Sequence, residues 1–258
     1  MLLSRLRRYR TARTLRRHGL PDLLWRRLRR ELYLLHNLSV RHAVRLRERT
    51  TLLLHDKAIH GVQGLDLSLE MKAVIAAQAA LLILELDESS FDGWTELIVY
   101  PGAFRVRRTV TDEFGVSHEQ ASHLSGESWQ NGPMVLSWED VKRDSYHRHP
   151  GSHVVIHEFA HKLDALNGRV NGMPPLHPEM PIEEWSRTLS QAYERLLRQL
   201  ERGQACINPY AATNPAEFFA VLSEYFFTAP HALKHHCQEA YLQLRAYYRQ
   251  DPLKRLKS

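Results

Sequence analysis

The 258-residue sequence has few cysteines and no apolar run long enough to cross a membrane, and each absence excludes a class of protein. Its two cysteines, Cys206 and Cys237, are too few for a disulfide framework, which fits a reducing compartment. The longest apolar run, residues 73–84, contains Gln78 and is far shorter than the ~20 residues that span a bilayer. The opening MLLSRLRRYR places charges where the apolar core of a signal peptide would lie. We therefore expect a soluble cytoplasmic protein without a transmembrane segment.

Lysine is absent from the first fifty residues, although fifteen arginines occur there. Only Asp22, Glu31 and Glu48 oppose them, so this segment has a balance of +12, and the remaining residues must sum to −6 to give the net charge of +6. We favour a solvated helical arm that packs on the acidic body, since no nucleic-acid-binding motif accompanies the arginines. The alternative is an arm that contacts nucleic acid, an anionic membrane or an acidic partner.

Apolar spacing divides the chain into helical ends and a short central stretch of strands. Residues 20–35 and 40–54 have apolar side chains at helical spacing, and Ser68 is an expected N-cap for a third helix. The segments ELIVYPGAFRV and GPMVLSW are short, rich in β-branched or aromatic residues and bounded by Gly and Pro, as strands are. Further helices are predicted at 152–167 with Ser152 as N-cap, 181–202, 215–227 and 230–249. The sequence thus predicts an α+β fold, mostly helical with a small central sheet.

The metalloprotease motif H-E-x-x-H occurs as HEFAH at residues 157–161. Positions i and i+4 of a helix share one face, so His157 and His161 can bind one Zn²⁺ at ~2.0–2.1 Å. Glu158 can then reach a water on the metal without being a ligand, which makes it the candidate base. His153 would extend the row to roughly 12 Å of helix axis, too long for one ion, so we place it outside the ligand set.

A catalytic zinc site needs a third protein ligand and one open position. The metzincin pattern fails, because Asp164 and Asn167 stand where it requires Gly and His. The later stretch NPAEFFAVLSEYFF carries Glu217 and Glu224, seven residues apart and on one helical face. The apolar residues around them predict a buried helix, in which a carboxylate must be paired or bound to a metal. From the residues alone, both glutamates remain candidates.

Several stretches between roughly residues 45 and 255 resemble the Mlc titration factor A family of bacterial zinc peptidases. These stretches are IHEFAHKLD, YAATNPAEFFAVLSEYFF, QDPLKRL, GWTELIVYPGAFRV and GESWQNGPMVLSW. The catalytic core of that family is similar to the protease domain of anthrax lethal factor, so the resemblance implies a zincin-like metalloprotease core. We accordingly predict an arginine-rich helical arm over residues 1–40 and a zincin-like metallopeptidase domain over 41–258.

The resemblance also implies roles for residues outside the helix with the histidines. It implies one zinc ion per chain, with Glu217 as the third ligand and Tyr210 as the catalytic tyrosine. It further implies His118, in GVSHEQ, as an additional zinc contact. A histidine there would fill the open position of the metal and give a latent form whose loop must move.

Two acidic residues are candidates for orienting the ligand side chains without contacting the metal. Asp164 lies three residues after His161, where it can orient that ligand. Val221 stands where related enzymes carry an acidic residue, so we expect Glu224 to provide that support instead.

The expected function is an aminopeptidase-like zinc peptidase acting on peptides or proteins, although the residues themselves leave amino-, carboxy- and endopeptidase action open. Glu158 takes the proton of the zinc-activated water, Tyr210 donates a hydrogen bond to the oxyanion, and GPMVLSW is a candidate edge strand for an extended peptide. The resemblance also implies binding of a transcriptional repressor, Mlc. The alternative is therefore a regulatory protein that sequesters a DNA-binding repressor, with weak or latent peptidase activity. Nucleic acid is not an expected partner except through the arm.

Overall fold

The computed structural model describes residues 2–102, 106–111, 117–122 and 133–256, with side chains for 9–87, 89–90, 92–102 and 133–256. These residues form helices and a small sheet, which confirms the mostly helical α+β prediction. The helices are α1 (Leu2–His18), α2 (Asp22–Glu31), α3 (Val40–Asp56), α4 (Leu69–Leu82), α5 (Trp138–Tyr146), α6 (Val154–Asp164), α7 (Ile182–Glu201), α8 (Pro215–Thr228), α9 (Pro230–His236), α10 (Gln238–Tyr248) and α11 (Pro252–Arg255). The strands are β1 (Ala58–Gly61), β2 (Glu96–Tyr100), β3 (Val106–Thr111), β4 (Ser117–Ser122) and β5 (Met134–Ser137).

The sheet has three parallel strands in the order β1-β2-β5. Leu97 of β2 lies opposite Ile59 on one side and Met134 on the other. Parallel neighbours need a crossover connection, and α4 lies in the connection between β1 and β2. Strands β3 and β4 form a separate antiparallel hairpin. Within the described residues β5 is an edge strand, as the sequence predicted for GPMVLSW.

Helix α4 is the centre of the core. The hydroxyl of Ser68 accepts a hydrogen bond from the Met71 amide at 3.2 Å, which confirms the predicted cap. Every residue from Ala73 to Leu82 is buried, and the helix packs against α3 and α6. A helix that is apolar all round is stable only when neighbours cover it on all sides. Its one polar side chain in this stretch, Gln78, therefore needs partners inside the core.

Three predicted helix limits were wrong. The helix expected over 20–35 ends at Glu31 and is followed by a short 3-10 turn. The helix expected over 230–249 is interrupted at Cys237. Helix α6 begins at Val154 with His153, not Ser152, in the N-cap position. Carboxylates from α5 and α8 bind its first amides, so the helix needs no serine cap.

The arginine-rich N-terminal segment is helical, as expected. Trp25 and Leu28 are buried in the core, while the arginines between them point outward. The division of the chain at residue 40 stays a prediction. In the described part of the chain, no helix combines the length and the apolar character needed to span a membrane.

Candidate metal centre

Helix α6 presents two imidazoles on one face. Val155, Ile156 and Phe159 bury the opposite side of the helix, so the histidine face is directed toward α8. The Nε2 atoms of His157 and His161 lie 3.2 Å apart, and their rings meet edge to face. The spacing of four residues therefore converges both nitrogens on one point, as the motif predicts.

Helix α8 brings a carboxylate to the same point. Pro215 occupies the first turn, and the side chain of Asn214 accepts a hydrogen bond from the amide of Glu217 at 2.9 Å. The side chain of Glu217 is 1% exposed. Its Oε2 atom lies 3.0 Å from Nε2 of His157 and 3.3 Å from Nε2 of His161.

These three atoms form a nearly equilateral triangle suited to a metal ion. Its sides are 3.0, 3.2 and 3.3 Å. Around an ion with tetrahedral bonds of ~2.0–2.1 Å, neighbouring ligand atoms lie about 3.3 Å apart. Two imidazole nitrogens and one carboxylate oxygen also match the ligand set of a catalytic divalent metal with one open position. Among the described residues, this is the group of His, Cys, Asp and Glu side chains placed to hold a metal.

Burial and neighbouring charges shift the pKa values of these groups in opposite directions. Burial alone would raise the pKa of Glu217, but hydrogen bonds to both histidines hold that pKa at about 2. Burial also opposes protonation of His157, yet contacts with Glu217 and Glu224 raise the pKa of its imidazole. With Glu158, whose charge also acts on both imidazoles, three carboxylates lie near the two histidines, an arrangement that attracts a cation.

Glu224 lies behind His157 and contacts it directly. Its Oε1 atom is 2.8 Å from Nδ1 of His157, and its Oε2 accepts a hydrogen bond from the amide of His153. A carboxylate on Nδ1 keeps the proton there and leaves Nε2 free to bind a metal. The structure therefore brings Glu224 to the position that the sequence suggested for supporting a ligand.

His153 is fully buried and has a partner other than the metal site. Its Nε2 atom lies 2.7 Å from the side-chain oxygen of Gln78, whose nitrogen donates to Ser145 at 2.8 Å. Burial lowers the pKa of His153 to about 3, so the ring is neutral. Sequence reasoning missed Gln78 and Ser145 as support for this helix. The available signal was a single amide in an otherwise apolar helix, which had to find a partner.

Asp164, the last residue of α6, contacts the loop that follows the helix. Its Oδ2 accepts a hydrogen bond from the amide of Gly172 at 2.7 Å, while burial raises its pKa to about 6. In the part of the chain that the structure describes, Oδ1 of Asp164 and Nδ1 of His161 are both buried without a hydrogen bond. A role for Asp164 in orienting His161 stays a prediction.

Tyr210 lies beside the two histidines on a 3-10 turn, Pro209–Ala212. Its ring centroid is 5.9 Å from that of His157. The side chain of Asn208 accepts from the Tyr210 amide at 3.0 Å, and the Asn208 amide donates to the Tyr225 hydroxyl at 3.2 Å. Burial, followed by the charges of Glu217 and Glu158, raises the pKa of Tyr210. The phenol therefore keeps its proton and is able to donate it in a hydrogen bond.

Glu158 and His118 complete the predicted set. Glu158 is half-buried next to the histidines, and burial raises its pKa although both imidazoles oppose the change. A carboxylate with a raised pKa suits a group that must both accept and return a proton. His118 pairs with Val110 in the β3–β4 hairpin, but its side chain lies outside the described residues. Its expected contact with a metal is therefore untested.

Comparison with known proteins identifies relatives over most of the chain. A family model described as "Glucose-regulated metallo-peptidase M90" matches residues 6–249. A protein of Serratia proteamaculans (strain 568), named Mlc titration factor A, is 43% identical over 208 residues, which are 79% of this chain and 78% of that protein. A protein of the same name from Yersinia pestis (strain Pestoides F) is 41% identical over 209 residues, 80% of this chain and 76% of that protein.

Proposed function

We propose that this chain, which belongs to the glucose-regulated metallo-peptidase M90 family, is a zinc-dependent peptidase. The observation that carries the proposal is the convergence of His157, His161 and Glu217 on one point with the spacing of a tetrahedral ligand set. A zinc ion held there supplies Lewis acidity and lowers the pKa of a water at its open position. The family supports a metal and a peptidase, and the choice of zinc rests on the two histidines and one glutamate.

Glu158 and Tyr210 have separate roles in this proposal. Glu158 takes the proton of the attacking water and returns it to the leaving amine, for which its raised pKa is suited. Tyr210, protonated at neutral pH, donates a hydrogen bond to the oxyanion of the tetrahedral intermediate. Glu224 holds His157 in the tautomer that leaves Nε2 unprotonated.

The substrate is a peptide or protein, and we propose that an extended segment pairs with β5. This strand is hydrogen-bonded to β2 on one side and is followed by α5, which packs against α6. An added strand on its other edge would run beside the helix that carries the histidines. The aminopeptidase-like specificity and the cytoplasmic location stay predictions.

His118 stays a proposed further ligand that limits basal activity. If its imidazole fills the open position, replacing it by alanine should raise peptide hydrolysis without loss of bound zinc. Equal hydrolysis by wild type and His118→Ala would contradict this role.

A second candidate function is binding of a transcriptional repressor. The relatives at 43% and 41% identity are both named Mlc titration factor A, and the name suggests an interaction with the Mlc repressor. We propose that this chain binds a repressor of that type and removes it from DNA. A gel-shift assay tests this by adding the protein to the repressor bound to its operator DNA. If the repressor stays on the operator DNA, the proposal is refuted.

The decisive experiment for the peptidase is the Glu158→Gln variant with metal analysis and a peptide-library cleavage assay. Zinc content should stay near that of the wild type, because Glu158 is not a ligand, while hydrolysis should fall by about a hundredfold or more. Glu183→Gln, an exposed glutamate at the start of α7, is the matched control and should keep full activity. Hydrolysis that survives in Glu158→Gln would refute the mechanism. If this variant still releases the operator, repressor binding is independent of hydrolysis.

A further inference from the structure

The N-terminal helices carry arginines that the acidic body does not neutralise. Arg27 of α2 forms an ion pair with Glu70, and Arg47 of α3 forms one with Asp22 of α2, as an arm packed on the body would. A second set of exposed arginines has no acidic partner within the described residues. They are Arg10, Arg13, Arg16 and Arg17 of α1 and Arg26 and Arg29 of α2, and we call them the arm arginines. Packing on the body thus explains only the first set.

Exposed apolar side chains concentrate on the same helices. The described residues include eight large apolar side chains that are exposed, and four of them, Tyr9, Leu23, Val40 and Val44, lie on α1, α2 and the start of α3. Val40 and Leu23 are the most exposed of all, at 84% and 79%. Single exposed apolar residues are normal, so it is their number on these three helices that makes this part of the chain a candidate interaction site.

A groove between α1, α2 and α3 is lined by side chains of both kinds, arginine and apolar. It has a volume of about 400 Å³. Half-buried Leu15, buried Trp25 and the exposed Val40 and Val44 line it, together with the charged side chains of Arg29, Arg47 and Glu48. The groove therefore places apolar side chains beside Arg29, which forms no ion pair within the described chain, and beside the exposed carboxylate of Glu48, so its lining is apolar with charges of both signs.

We propose that the exposed surface of the N-terminal helices, which carries the arm arginines and these apolar side chains, docks on an anionic membrane surface. The arm arginines contact lipid phosphates, and the exposed apolar side chains enter the boundary between headgroups and acyl chains. Nucleic acid would also bind the arginines, because it too presents phosphates, but it offers no apolar layer for Leu23, Val40 and Val44. The combination of both kinds of side chain favours the membrane.

The charge distribution of the whole chain orients this docking. The first fifty residues have a balance of +12, and the remainder has −6. An anionic surface attracts the first part and repels the second. The arm would therefore face the lipid, and the acidic remainder of the chain, which contains the candidate metal centre, would face the solution.

Co-sedimentation of the full chain with lipid vesicles tests the proposal. We expect binding to vesicles that mix phosphatidylcholine with phosphatidylglycerol, and much weaker binding to phosphatidylcholine alone. Each basic side chain near an anionic surface strengthens partitioning about fivefold, so Arg26→Gln combined with Arg29→Gln should weaken it by at least about tenfold. The matched control, Arg187→Gln with Arg202→Gln, removes the same charge from two exposed positions of the body and should change binding by less than about twofold.

The apolar contribution needs its own variant and its own competitor. Val40→Ser with Val44→Ser keeps every charge, and the binding that remains at high salt should fall, because the apolar contact is not screened. Circular dichroism and thermal melting confirm that each variant is folded. Equal binding to neutral and anionic vesicles, or an equal loss in the control pair, would overturn the proposal. Duplex DNA that displaces the protein from vesicles at equal phosphate concentration, with no effect of the serine pair, would instead identify a nucleic-acid surface.

Discussion

Replacing Glu224 by glutamine tests the support of His157, because the two oxygens of Glu224 accept from two different donors. Oε1 faces Nδ1 of His157 at 2.8 Å, and Oε2 faces the amide of His153. A glutamine side chain has one oxygen and one NH₂ group, so it can accept from only one of these donors. The other position would then face an N–H group in place of an acceptor.

The orientation of the new amide decides where the loss appears. If its oxygen faces the His153 amide, its NH₂ group faces His157 and forces the proton onto Nε2, which blocks metal binding. If its oxygen faces His157, the amide of His153 at the N-cap of α6 loses its acceptor and the fold is weakened. An unsatisfied buried donor costs about 1–3 kcal/mol, and loss of such a support typically lowers metal affinity by about 10–100-fold. The summed loss in zinc affinity and unfolding free energy should therefore be about 1–3 kcal/mol.

Two measurements on one variant separate these outcomes. Competition with a chromophoric chelator gives the zinc affinity, and urea unfolding of the metal-free protein gives the free energy of unfolding. Glu183→Gln, at an exposed position, is the matched control and should change neither by more than a few tenths of a kcal/mol. Glu224→Gln with both quantities equal to those of the wild type would refute the reasoning.

Three further predictions concern pH, packing and the metal. His153 is neutral in the fold with a pKa of about 3, so unfolding takes up a proton below pH ~6.5, and the free energy of unfolding of the metal-free protein should fall by up to about 1.4 kcal/mol per pH unit toward acid. If His153→Gln shows the same dependence of the unfolding free energy on pH as the wild type, this prediction is contradicted. A Cβ at Gly151 (φ 76°) would overlap the ring of Tyr225, so Gly151→Ala should lower the free energy of unfolding by about 2–5 kcal/mol. Gly168→Ala (φ 81°), which has open space around it, should lower it by only about 1–2 kcal/mol, and equal losses of the two variants in urea unfolding would exclude the overlap. Zinc at a hundredfold excess over its dissociation constant should stabilise the fold by about 2.7 kcal/mol, and a chelator should remove this gain in thermal melting; equal melting temperatures would argue against a metal site.

The local pattern of the sequence was enough to predict the ligand face of α6. The apolar residues Val155, Ile156 and Phe159 define the buried side of the helix, and His157 and His161 follow from the spacing of four. The cap of α4 at Ser68 was equally local, because it depends on one hydroxyl and an amide three residues later. Both predictions use only the helix period, which neighbouring elements do not change.

The start of α6 could not be predicted, because distant parts of the chain determine it. The amides of His153 and Val154 bind carboxylates of Glu224 and Asp144, which lie 71 and 10 residues away in sequence. Ser152 has the better intrinsic preference for a cap, but tertiary acceptors replaced the local one. A local sequence pattern indicates the hydroxyl of Ser152 as an acceptor, but it gives no information on carboxylates that the fold brings in from other helices.

The choice between Glu217 and Glu224 was open for a related reason. Seven residues place both on one face of α8, about 10 Å apart along the axis, so either could reach a point on α6. Where the two helices cross determines which atoms each glutamate contacts: Glu217 meets both Nε2 atoms, and Glu224 meets Nδ1 of His157. Buried carboxylates are stable only when paired, and each finds its partner on α6. The two glutamates thus restrict α8 to one register against α6, since a shift by one turn would leave a charge buried without a partner. The same contacts that bring the three candidate ligand atoms together therefore also specify how these two helices pack.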